Sequence, residues 1–125
     1  MIKSPIAQRV LKVADEPGRT IVVSIARPEL DPDSAGDWIC MFYIGGIDDA
    51  GPHVVHGADS LQALLLAMED VRRRLDASGL LLVWQNEEPG NVCIPRMVPY
   101  LFGGAFARDI ERYIDDRMAN HVPRG

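Results

Sequence analysis

The sequence predicts an α+β fold: a mainly antiparallel sheet of four to five strands, in the order β-β-β-β-α-β-α, with two helices packed on it. Three observations predict it. Four extended segments rich in β-branched or aromatic residues precede residue 58, an amphipathic pattern with its own start and stop signals occupies 59–77, and a second helical pattern follows a Pro- and Gly-rich stretch.

Residues 6–13 alternate imperfectly between apolar and polar, and Glu16-Pro17-Gly18 separates them from the run at 20–27, which makes a hairpin. The second run is apolar on both faces, as expected of a strand with neighbours on each side. Between Pro28 and Asp37 two prolines, a glycine and four acids predict an exposed acidic loop without regular structure. Residues 38–44 then put Trp38, Cys40, Phe42 and Ile44 on one face and Ile39, Met41 and Tyr43 on the other, the pattern of a central strand. Residues 45–52 are a turn and 53–57 a short strand, which completes an antiparallel meander.

Asp59 is placed as the N-cap of the first helix, with Gln62 three residues on as its capping-box partner. Leu61, Leu64, Leu65, Met68, Val71 and Leu75 share a stripe. Glu69 and Asp70 precede Arg73 and Arg74 at i,i+4, and Gly79 stops the helix. Residues 80–84 read as a buried strand. Pro89, Gly90, Pro95, Pro99, Gly103 and Gly104 make 85–104 an irregular excursion with a short extended piece at 91–94, and Phe106, Ile110, Tyr113, Ile114 and Met118 mark a helix over 105–120, placed on the same layer or at the sheet end.

With 125 residues, 47% of them hydrophobic and 25% charged, the chain is expected to form a single globular domain, 1–125. The net charge of -5 disfavours nucleic acid and anionic membranes and favours a basic partner surface. The start, with Lys3, Gln8, Arg9 and Lys12, lacks a signal-peptide core, and no window reaches the roughly 18 apolar residues of a membrane span, so a cytoplasmic location is expected. Cys40 and Cys93 are far apart and outside any C-x-x-C pair, which suits reduced thiols; one bridge is the alternative.

No residue set carries a clear chemistry, and neither a catalytic group, a metal nor a cofactor is assigned. His53 and His56 are three apart on a strand and so point to opposite faces, against chelation of one ion. Asp31, Asp33 and Asp37 are spaced like the start of a calcium loop, but Ala35 stands at a ligand position and Phe42 at the closing glutamate position. Cys40, between Trp38 and Phe42, is a core thiol, which leaves Cys93 with His53 as the weak thiol and imidazole candidates. The acid pairs Asp48-Asp49, Glu87-Glu88 and Asp115-Asp116 read as solvated. Arg72, Arg73 and Arg74 lack the aromatic interleaving of a nucleic-acid surface.

Asp37-Trp38-Ile39-Cys40, the helix Gly57-Ala58-Asp59-Ser60-Leu61-Gln62-Ala63-Leu64-Leu65-Leu66-Ala67, Trp84 and the terminal helix from Phe106 to Ile114 together resemble a family of small uncharacterised bacterial proteins. That resemblance implies a compact domain of unknown activity, similar in size and layout, by analogy, to immunity proteins that neutralise toxins made by neighbouring genes.

The leading expectation is therefore a non-enzymatic protein-binding domain, immunity-like in character. Its contacts are expected from the acidic loop, with Asp31 and Asp33, and from the mixed segment, with Trp84, Arg96, Met97, Tyr100 and Phe102. A small enzyme or ligand-binding protein, with a pocket near 84–102 lined by Trp84, Tyr100 and His53 or Cys93, is the alternative. A self-associating module, such as a homodimer, is the third.

Overall fold

A computed structural model of the chain describes residues 2–47 and 51–121, so the Asp48-Asp49 pair and the middle of the 45–52 turn lie outside the described residues. The chain divides into two compact units, Met1–Pro95 and Arg96–Gly125.

The first unit holds β1 (Ala7–Val13), β2 (Thr20–Ile25), β3 (Glu29–Leu30), β4 (Trp38–Gly45), β5 (His53–Gly57), α1 (Ser60–Ala77) and β6 (Leu82–Val83). All the strand pairs are antiparallel. β2 and then β3 pair along one edge of β4 and β5 along the other, with β1 beyond β2 and β6 beyond β1, so the class and element order follow the expectation and β4 has neighbours on both sides.

The acidic segment departs from the expectation in one respect. Glu29 and Leu30 pair with Ile39 and Trp38, so β3 resumes along β4 after β2 has broken off. The break falls where Pro28 has no N–H to give a ladder, and Ala26 N still reaches Met41 O at 2.8 Å just before it. The loop beyond is tightly closed: Asp31 N bonds Asp37 O at 2.8 Å, and Asp33 N bonds Asp31 Oδ1 at 2.9 Å.

The core face of the sheet carries Leu11, Ile21, Phe42 and Ile44, each fully buried, together with Val13, Val23 and Cys40. Full burial of each large side chain contributes about 1.5–3 kcal/mol. Phe42 is held between His53, with ring centroids 5.1 Å apart, and the Arg74 guanidinium, 5.8 Å from its centroid.

Helix α1 begins as expected: Asp59 Oδ1 accepts from Gln62 N at 2.7 Å, and Gln62 Oε1 accepts from Ala58 N at 2.6 Å. It ends at the Ser78 cap before Gly79, whose φ of +71° suits glycine. The buried stripe follows the expected one in part: Val71 and Leu75 are buried and Leu64 and Met68 half-buried, but its centre is shifted. Ala63, Ala67, Val71 and Leu75 face the sheet, while Leu61 and Leu65 are exposed. Small side chains let the helix axis approach the sheet closely. Of the two expected ion pairs, Asp70–Arg74 forms at 3.3 Å, while Glu69 meets Arg72, which also reaches Asp76 at 3.0 Å.

Beyond α1 the strand expected over 80–84 is reduced to β6, which pairs with Lys12 and Val13, and no strand forms at 91–94. The second unit contains α2 (Gly104–Ala119), within a residue of the predicted helix. No helix among the described residues is long and apolar enough to cross a membrane.

A Cβ on Gly57 would lie 2.8 Å from Ala63 Cα, closer than packed atoms allow. Gly57→Ala is expected to lower stability by about 1–3 kcal/mol, and Asp59→Ala by about 1 kcal/mol through loss of the cap. Urea unfolding measures both; a Gly57→Ala midpoint equal to the parent would refute the close contact.

Candidate functional site

Helix α1 packs chiefly on β4 and β5, so a different element must cover the β1–β2 half of the core face. That element is the irregular strap at 84–95. Val92 and Ile94 pack against the core from it, as does Trp84. Between strap and helix the cover is incomplete, and a groove of about 380 Å³ remains. This lies in the range of small-ligand sites.

Its floor is set by strand register. Arg9 pairs with Val23 and Ala7 with Ile25, and all four stand on the face that Leu11 and Ile21 define. Leu64, Met68 and Val71 of α1 form one wall, and Cys93, Ile94 and Pro95 form the other.

Arg9 fixes the second wall. Its Nη1 donates to Val92 O at 3.0 Å and to Cys93 O at 2.7 Å, and its guanidinium lies 4.2 Å from the Trp84 ring centroid. The outer edge of β1 meets β6 only at Lys12 and Val13. A side-chain tether therefore holds the strap where a backbone ladder would otherwise do so. Among the described residues, no carboxylate pairs with Arg9.

Cys93 adopts a left-handed backbone, φ +54°, and Asn91 Oδ1 accepts from both its N–H, at 3.0 Å, and its thiol, at 3.1 Å. Cys40 differs in kind: it is fully buried, its thiol faces Ala26 O at 3.4 Å, and burial pushes its pKa up. Both cysteines are free.

The predicted contact residues are dispersed. Trp84 and Cys93 both contact Arg9, one through its ring and the other through its carbonyl. His53 packs on Phe42, and His56 Nε2 lies 3.6 Å from Asp31 Oδ2 on the opposite face, so Asp31 is engaged while Asp33 stays exposed. Arg96, Met97, Tyr100 and Phe102 belong to the second unit. There the Tyr100 hydroxyl donates to Glu111 Oε1 at 2.7 Å, which raises the phenol pKa, and Phe102 meets Phe106 edge to face at 5.3 Å. Among the described residues no three His, Cys, Asp or Glu side chains gather as metal ligands.

No motif in the sequence marks Arg9, Ile25, Leu64 or Met68 as site residues, Leu64 and Met68 being legible only as part of the helix stripe. One signal was available for Arg9: it occupies an inward position two residues before Leu11 and four before Val13, where a cation needs a partner.

The fold and site define an α+β domain with an apolar groove beside a tethered strap. The chain belongs to the domain of unknown function family DUF6968, whose model matches residues 7–96. No curated protein and no solved structure matches it.

Two measurements check this geometry. Iodoacetamide applied to the folded chain is expected to modify Cys93 and spare Cys40, with the second adduct appearing by intact mass only in denaturant; early Cys40 labelling would contradict its burial. Arg9→Met is expected to speed protease cleavage within 85–95 at least severalfold without loss of helical circular dichroism; unchanged cleavage would show that the tether is dispensable.

Proposed function

We propose that the chain is a non-enzymatic protein-binding module whose contact element lies in the second unit. The observation that carries this reading is the exposed apolar cluster at 100–106. Leu101 is 89% and Phe102 70% exposed, and Tyr100 and Phe106 lie beside them in the sequence, also exposed. The Tyr100–Glu111 bond and the Phe102–Phe106 contact hold the rings in fixed positions, which lowers the entropy lost on binding. Aromatic anchors of this kind dominate interface energetics, whereas exposed side chains of this size gain nothing in isolation.

Along α2 the stripe continues through Ile114 and Met118, both exposed, so the element suits an apolar groove on a partner protein. The net charge of -5 favours a basic rim around that groove. A cytoplasmic partner encoded nearby, such as a toxin held inactive, fits an immunity-like role.

The test is isothermal titration against the products of adjacent genes. Micromolar or tighter binding is expected to one of them, and Phe102→Ala to weaken it at least tenfold, about 1.4 kcal/mol, without changing the unfolding temperature. Absence of binding to every such product, or an unaffected Phe102→Ala complex, would sink the proposal. Light scattering on the free chain separates self-association through the same cluster.

A further inference from the structure

We propose that the groove between α1 and the strap binds a medium-length amphiphilic carboxylate, with its chain over Val23, Ile25, Leu64 and Met68 and its headgroup on Arg9. The site lies within Met1–Pro95 and uses none of the aromatic cluster at 100–106. It therefore stands or falls separately from the protein-binding reading.

Size and lining select the chain. At roughly 30 Å³ for a water-sized group, a groove of about 380 Å³ admits about a dozen non-hydrogen atoms. Apart from Arg9, the helix wall and the floor are hydrocarbon and thioether. Gln8, at the margin, already donates to Ser24 Oγ at 3.0 Å. A sugar or nucleotide would leave its hydroxyls without partners there, at a cost that apolar contact does not offset.

Charge selects the headgroup. Arg9 is half-buried and lines the groove, and among the described residues it faces two carbonyls and an aromatic ring but no carboxylate. Both carbonyl bonds use Nη1. Among the described residues no hydrogen bond engages Nε or Nη2, the adjacent pair that meets a carboxylate side-on through two parallel hydrogen bonds. Because the tether to the strap already fixes the guanidinium, little further ordering is needed on binding. A neutral amphiphile would cover the apolar floor but leave the cation unmatched. A cationic one would be repelled.

The full chain is titrated with decanoate, decanol and decylamine below their aggregation limits, following heat and backbone and methyl NMR shifts. Decanoate is expected to bind one to one, at least tenfold more tightly than decanol and more tightly still than decylamine, with shifts centred on Ile25, Leu64, Met68 and Ile94. Arg9→Met abolishes the preference for decanoate over decanol. Met68→Trp fills the groove and removes binding of both without lowering the unfolding temperature. Should Arg9→Met fail to fold, the decanoate-to-decanol ratio of the parent chain decides alone. Equal affinities, shifts confined to 100–106, no saturable shift, or a dimer that buries the groove in the free chain would each overturn the proposal.

Discussion

The close contact between Gly57 and Ala63 sets the position of α1 on the sheet and, with it, what the rest of the first unit must cover. With no Cβ on Gly57 and only a methyl on Ala63, the first turn of α1 settles on β5 rather than over the middle of the sheet. Ala67 repeats the small side chain one turn later, so the helix stays low along β4 and β5. Larger residues at these positions would raise the axis and centre it, and Leu61 and Leu65 would then be drawn toward the core. Instead they point to solvent, and the apolar arc of α1 extends beyond the surface it covers.

A helix displaced to one side leaves Ala7, Arg9, Val23 and Ile25 without a regular layer above them. The connection from α1 to β6 and onward is too rich in proline and glycine to supply a second helix, so the strap covers this half with separate side chains. Separate side chains pack less completely than a helix face, which is why a groove persists between the strap and α1. Arg9 is consistent with that arrangement. A leucine at its position would cover the floor but could not hold the strap. The guanidinium gains about 1.5–3 kcal/mol per charged hydrogen bond to a carbonyl and about 0.5–2 kcal/mol from Trp84, enough to offset partial desolvation of a half-buried cation.

The parts of this architecture that were legible in the sequence are those fixed by local chemistry. Asp59 with Gln62, Gly79, the Glu16-Pro17-Gly18 turn and the two-faced pattern of 38–44 each act within a few residues, and each led to the right element. What escaped depends on distance across the fold. Leucine outranks alanine in any hydrophobic pattern, so the stripe through Leu61 and Leu65 looked like the buried one; only the approach of β5 makes Ala63 and Ala67 the contact residues. Pro28 correctly marks a break but cannot reveal that Glu29 and Leu30 rejoin β4 beyond it. The groove was illegible for the same reason. Its walls come from residues about 60 and 90 positions along the chain and its floor from two strands near the start, a convergence that no spacing encodes.

The family match ends at residue 96, one position past the boundary of the first unit at Pro95. Two criteria with nothing in common, sequence similarity and spatial compactness, thus divide the chain at the same place. The division separates the two candidate surfaces. The groove, Arg9 and the strap belong to the matched domain, whereas the aromatic cluster and α2 lie outside it. A property shared by the family has to rest on the residues its model covers, which directs attention to the groove. A property particular to this chain has most freedom in the second unit, where Leu101 and Phe102 carry no burden of core packing and their side chains are available for a partner. Binding of a small carboxylate and recognition of a protein are therefore compatible within one chain, because they draw on different residues.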